Sequence, residues 1–132
     1  MKRVVVGIIS RKNKQKEEEY LLVSSIIQVG EFTGYFYLPG GHLHENETDE
    51  ECLKREIKEE VKLEVINQKK IAESQSDIAG ETIIWFDCKV ANYDFKINKK
   101  EFTNGGFFSQ KQMQNMNIWP ATKQFFEEYV FK

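Results

Sequence analysis

The stretch GGHLHENETDEECLKREIKEEVKL, residues 40–63, constrains this chain more than any other. It follows a strand-like aromatic run, Tyr35, Phe36, Tyr37 and Leu38, and leaves it through Pro39 and a glycine pair. A short polar loop then leads into a helix with a well-marked start. Thr48 can cap it, Glu51 stands three residues on to complete a capping box, and acidic residues fill the first turn.

Around a helical wheel, at about 100° per residue, Leu53, Ile57 and Val61 form one apolar stripe, with Cys52 to one side. Glu56 and Glu60 fall between Cys52 and Val61, inside the inward-facing arc, and Glu59 falls at its edge. Lys54, Arg55, Lys58 and Lys62 occupy or border the opposite side. Two like charges about 4 Å apart repel by roughly 4 kcal/mol at an effective dielectric near 20, before any cost of desolvation. Such an arc calls for a cation. Hard divalent ions prefer oxygen ligands, and Mg²⁺ is typically held by one or two carboxylates together with substrate phosphates and water.

With those residues in place, the stretch resembles the Nudix box, G-x₅-E-x₇-R-E-U-x-E-E-x-G-U with U aliphatic. Gly41 supplies the first glycine, Glu47 the first glutamate, Arg55 and Glu56 the Arg-Glu pair, Ile57 an aliphatic position, Glu59 and Glu60 the double glutamate, and Leu63 the final aliphatic. One position departs: Lys62 stands where the family has glycine. A glycine there would end the helix in the left-handed conformation. A side chain in its place costs about 1 kcal/mol if that conformation is kept. The departure touches helix termination and removes no chemical group.

The resemblance implies an α/β fold, a Nudix-type α/β/α sandwich with a mixed, curved β-sheet, spanning residues 1–132 as a single domain. It implies hydrolysis of a nucleoside diphosphate linked to another moiety, with Mg²⁺, or Mn²⁺ in its place, neutralising charge as water attacks phosphorus. Small family members often act on nucleoside triphosphates; ADP-ribose, nucleotide sugars and dinucleoside polyphosphates are the alternative substrates, and a nucleotide sensor without turnover is the alternative outside enzymes. The intact set Arg55, Glu56, Glu59 and Glu60 argues against the sensor.

Carried over residue by residue, Glu56, Glu59 and Glu60 are expected as metal ligands, with the Gly40 carbonyl beside them. Glu56 is also the candidate general base, and Glu59 belongs to the same catalytic group. Arg55 resembles the arginine that orients a box glutamate through a charge-assisted hydrogen bond, and Glu47 would close the loop onto the helix start. Relatives often add a carboxylate from beyond the box, and Glu101 is the best-placed candidate. His42 and His44 lack a third ligand for zinc. His44 stands where relatives often carry an acid, and a contact to substrate phosphate suits it. Phe32, Tyr35, Tyr37, Phe108 and Trp119 are candidates for stacking on a base, and Arg11 or Lys12 for touching phosphate.

The rest of the chain reads as scaffold. At 132 residues, with 40% hydrophobic and 30% charged, it is long enough to bury a core. A net charge of −2 gives no sign of a general nucleic-acid-binding surface, so phosphate would have to be attracted locally. The expected partner is a small nucleotide, with no stable nucleic-acid partner and no membrane; because family members often dimerise, a homodimer is also to be considered. Cys52 and Cys88 have no metal-ligand spacing and read as free thiols in a reducing cytoplasm. The apolar run after Met1, Lys2 and Arg3 is too short for a signal peptide, and no segment approaches the roughly 20 apolar residues that span a bilayer.

Strands are expected at 4–10 and 20–28, with a charged turn over 11–19 between them and another turn at 30–34. Beyond the motif helix, strands are expected at 63–74, 82–91 and 102–108, with a polar turn at 75–80. Residues 93–98 carry no clear pattern. Ser109 can cap a helical turn over 110–116, and Pro120 suits the first turn of a final helix with Phe125, Phe126, Tyr129 and Val130 on its apolar stripe.

Overall fold

The computed structural model describes residues 2–132. Its centre is β1 (Lys2–Lys12), a β-branched strand whose alternate residues feed two separate cores. Val5 and Ile9 point to one face, Val6 and Ile8 to the other. β2 (Glu18–Ser25) pairs antiparallel with β1, β6 (Glu81–Val90) pairs parallel with it, and β5 (Val65–Gln75) lies antiparallel outside β6. Two short strands complete this side: β3 (Phe36–Tyr37) on β2 and β4 (Gly40–His42) on β1. β7 (Phe102–Ser109) also pairs with β2. The sheet is mixed, as expected.

Helix α1 (Asp49–Val61) packs Cys52, Leu53, Ile57 and Val61 onto the first face, against Val5, Ile9, Ile84 and Phe86. It approaches closely because β1 carries Gly7 beneath it. A Cβ at Gly7 would lie 2.7 Å from Cys88 Sγ and 2.9 Å from Ile57 Cδ1. The second face is covered by α2 (Gln110–Met113), α3 (Pro120–Phe125) and the wider turn Phe126–Val130 that continues it. There Trp85 stacks on Phe125, ring centroids 4.2 Å apart and planes 4° from parallel. Helices therefore lie on both faces, and among the described residues none is long and apolar enough to cross a membrane. Both cysteines are free and buried, and burial pushes each thiol up to about 12.

Three local expectations are corrected. The second strand stops at Ser25 rather than Gln28: the Ser25 hydroxyl accepts the Ile27 amide, the pairing shifts register at Ser24/Ser25, and Ile26 and Ile27 are turned outward. The turn expected over 11–19 is shorter, because ladder pairs continue to Lys12 and Glu18 and only the tip turns, around the Asn13 side chain. The helical turn after Ser109 has the expected capping box but ends at Met113.

Residues 93–98 form no regular element, yet they are fixed. The amides of Lys96 and Asn98 donate to the last carbonyls of α1, on Val61 and Glu60, while Phe95 and Ile97 pack on the first core. This crossing delivers Glu101 to the end of α1.

Candidate active site

The loop and helix of residues 40–63 fold as their residues dictate. Thr48 and Glu51 form the reciprocal capping box, with Thr48 Oγ1 accepting the Glu51 amide at 3.1 Å and Glu51 Oε1 accepting the Thr48 amide at 2.9 Å. The helix ends at Lys62 in the left-handed region, φ 60° and ψ 33°. The backbone geometry that glycine favours is thus kept with lysine in its place.

Arg55 is the tie between loop and helix. Its guanidinium donates to Glu47 at 2.6 and 2.9 Å, to Glu56 Oε1 at 2.6 Å and to the His42 carbonyl at 3.2 Å. Glu47 also accepts the His44 amide at 2.8 Å. The Arg55 bond and that amide together hold its carboxyl down at about 2, while Arg55 itself is raised by Glu47. Gly41 lets this happen: a Cβ there would lie 2.6 Å from the Glu56 carboxyl.

Glu60 is the buried member of the set, 6% exposed. Its Oε1 accepts the Gly40 amide at 3.0 Å, and its carboxyl lies within hydrogen-bonding reach of Glu56. Burial first, and then Glu56, push Glu60 well above the usual carboxylate range. Arg55 reaches Glu56 but no guanidinium bond reaches Glu60. A pair of apposed carboxyls, one buried, is the arrangement a hard divalent cation relieves, and the donors are all oxygen. The residues therefore fit such an ion. Among the described residues, three ligating side chains are not already gathered at one point. Glu59 is 56% exposed and lies 3.5 Å from Arg55 Nη1, so it would have to turn inward to ligate.

These groups open onto a cleft of about 530 Å³. Glu56, Glu60, Glu101 and Tyr37 stand at one end. Burial pushes the Tyr37 phenol up to about 12, with Glu60 adding to the effect, while a hydrogen bond with Ser25 opposes it. The floor is the second face of the sheet, with Val4, Val6, Ile83 and Trp85. Trp119 and Phe32, stacked at 4.7 Å, form a wall.

The sequence-derived candidates divide accordingly. Gly40, Glu56, Glu60, Glu101, His44, Tyr37, Phe32, Tyr35 and Trp119 line this cleft. Glu101 is held by Asn98 Nδ2 at 3.0 Å, and its charge acts on Glu60. Three candidates lie elsewhere. Arg11 is at the β1–β2 hairpin, paired with Glu19 and seated 4.1 Å over the Phe107 ring, because strand alternation there turns it across the sheet. Lys12 lies at the same hairpin. Phe108 packs edge-on against Phe36 in the second core and does not line the cleft.

One buried acid of the cleft was not among the candidates drawn from the sequence. Glu81 is buried on the floor and meets His42 Nε2 at 2.8 Å. The available signal was its register: Glu81, Ile83 and Trp85 alternate onto one face, and an acid at the head of that apolar series is out of place.

Comparison with known proteins agrees with this geometry. The model of the NUDIX domain matches residues 1–129. The chain is 31% identical over 122 residues to a nucleoside triphosphatase NudI of Klebsiella pneumoniae, covering 83% of this chain and 86% of that protein. It is 29% identical over 127 residues to the protein of that name from an Enterobacter species, covering 86% and 89%. Among solved structures, a MutT NUDIX hydrolase from Burkholderia pseudomallei superposes with a TM-score of 0.82 over 98% of each chain, at 16% identity.

Proposed function

This chain belongs to the Nudix family, and on that premise we propose that it is a nucleoside triphosphate pyrophosphohydrolase, releasing a nucleoside monophosphate and pyrophosphate. The coarser statement stands by membership: it is a hydrolase of nucleoside diphosphates linked to another moiety. The same reading treats residues 1–132 as a single Nudix domain. The observation that carries it is the placement of the Glu56–Glu60 pair at one end of a cleft that also presents an apolar strip of Val4, Val6 and Ile83 and an aromatic wall of Phe32 and Trp119. One end suits metal and phosphate, the other a base. The similarity to the nucleoside triphosphatases of Klebsiella and Enterobacter supports a triphosphate as the substrate.

In this reading Glu56, Glu60, the Gly40 carbonyl, Glu101 and an inward-turned Glu59 would hold Mg²⁺ or Mn²⁺. The ion supplies neutralisation of charge on the phosphoryl oxygens and acidifies water. Glu56 accepts a proton from the attacking water, whose oxygen bonds to phosphorus as the bridging P–O bond breaks and pyrophosphate leaves. Arg55, which touches Glu56 and Glu47, positions the base and does not meet substrate. Trp119 and Phe32 receive the base by stacking, worth about 1–3 kcal/mol per base. His44, at the loop, meets a phosphate.

The test is turnover of nucleoside triphosphates, nucleotide sugars, ADP-ribose and dinucleoside polyphosphates with Mg²⁺ or Mn²⁺, products resolved by chromatography, with Glu60→Gln as control. Metal-dependent release of pyrophosphate and a monophosphate, lost in the control, is expected. Two monophosphate fragments from a linked diphosphate would move the substrate class. Nucleotide binding without turnover would overturn the enzyme reading in favour of a sensor.

A further inference from the structure

The floor of the cleft is apolar except at one place. Strand alternation sets Gly40 and His42 on β4, Val4 and Val6 on β1, and Glu81, Ile83 and Trp85 on β6 toward the same side. Of these, Glu81 is the buried acid, its side chain 9% exposed amid Val4, Ile83 and the Ser76 turn. Its Oε2 is met by His42 Nε2 at 2.8 Å, and among the described residues its Oε1 has only a long bond, 3.4 Å, from Ser76 Oγ. A carboxyl group offers about four acceptor positions. Glu81 therefore keeps acceptor capacity in a nearly dry place, where an unmet acceptor is costly. His42, 57% exposed, is free to shift as something else arrives.

Position along the strand says what that is. Gly40, whose amide holds Glu60, stands opposite Val6, whereas Glu81 stands opposite Lys2. The two points are about 13 Å apart along the strand axis, at roughly 3.3 Å per residue. That is of the order of the reach from the phosphates of a nucleotide to the far edge of its base. The strip between them, Val4, Val6 and Ile83, is apolar and lines the same cleft as Trp119, as a flat ring requires. The lining carries no lysine, arginine, asparagine or glutamine at this end; its polar side chains, Glu81, Asp77, Ser76 and Thr122, supply acceptor oxygens.

We propose that Glu81 is a specificity-determining residue that accepts an N–H from the Watson–Crick edge of the substrate's base. The assignment rests on the nucleotide reading above. It makes the enzyme one that reads a base through a ring or exocyclic N–H and rejects the same base when that nitrogen is methylated.

The experiment compares the best-turned-over nucleoside triphosphate with its analogue methylated at that nitrogen, measuring kcat and KM for wild type and Glu81→Gln, with melting curves to confirm folding. The expected result in wild type is a rise in KM of about 10- to 100-fold for the methylated analogue, the worth of a hydrogen bond to a charged group, with kcat much less affected. Glu81→Gln, which turns one acceptor into a donor, is expected to raise KM for the natural substrate and to lose most of the discrimination. Wild-type binding of the corresponding monophosphates, methylated and not, gives the same comparison without turnover. Equal KM for the two nucleotides in wild type, or undiminished discrimination by a folded Glu81→Gln, would overturn the assignment and leave the pyrophosphohydrolase reading standing. If wild type turns over no nucleotide in the panel, that reading fails, and this one with it.

Discussion

On one face of the sheet, α1 packs closely over Gly7 of β1, where a Cβ would lie 2.9 Å from Ile57 Cδ1, and its polar end is tied by Arg55 to the loop, to Glu47 and to Glu56. On the other face, Phe125 and Phe126 cover Trp85 and Tyr20 in an aromatic cluster with few polar ties. The first face carries the carboxyls and holds them by charge-assisted bonds of defined geometry. The second carries shape: it sets the floor and wall against which a base would lie. The contrast separates chemistry from selectivity, and it predicts that damage to each face is read by different instruments.

The largest effect should come from the aromatic face and should be one of stability. Phe126→Ala is expected to cost about 3–5 kcal/mol, as for a fully buried aromatic truncated to alanine. Urea denaturation measures it, and activity per folded molecule should hold. A comparable loss of activity in the folded fraction would break the division between the faces.

On the carboxyl face, Glu60→Gln should leave the fold intact and lower kcat by about 10²- to 10³-fold, the usual scale for removing a group that stabilises developing charge. Stability should respond in the opposite sense. In the metal-free protein Glu60 is raised, so the folded state keeps a proton that the unfolded chain releases. Folded protein then binds more protons than unfolded, and stability falls as pH rises above the ordinary carboxylate value of 4.5. Melting temperature against pH in chelator should show that decline, Mg²⁺ should reverse it, and Glu60→Gln should flatten it. A decline that persists in the variant would assign it to another group.

Arg55→Lys tests the tie itself. Lysine keeps the charge but cannot bridge Glu47, Glu56 and the His42 carbonyl with one planar fork. A fall in kcat of about 10- to 100-fold with KM little changed is expected, the scale of lost orientation around a metal-site ligand. A rise in KM alone would mean that Arg55 meets substrate.

The smallest effect is expected at the helix end. Lys62 holds a left-handed conformation that costs a side chain about 1 kcal/mol, so Lys62→Gly should raise stability by about that amount without touching turnover. No gain in denaturant midpoint would show that the contact of Lys62 Nζ with the Glu59 carbonyl offsets the strain.

Much of the carboxyl face was legible in advance because its determinants are local. The capping box of Thr48 and Glu51, the stripe of Leu53, Ile57 and Val61, and the inward arc of Glu56 and Glu60 all lie within one helical stretch, where spacing fixes direction. Strand cores followed from β-branched and aromatic runs, and the largest error there, the end of β2, arose from one serine hydroxyl capturing a backbone amide. Arg11 was misplaced for a related reason: a residue type can suit phosphate, but only pairing register decides which side of a sheet it faces, whereas Phe108 shares the face of the cleft floor and is packed away against Phe36.

The sequence by itself determined the helix, its caps, its carboxyl arc and hence the chemistry, because each depends on residues within a few turns of one another. Only the tertiary structure decided the cleft. Trp119 and Glu81 come from parts of the chain distant from each other and from Phe32 and His42, and His42 meets Glu81 because β1 pairs with β4 on one side and β6 on the other, while Phe32 stacks on Trp119. No local pattern encodes that meeting. It is set by which strands pair and in what register, a long-range choice made by burying both faces of the sheet at once.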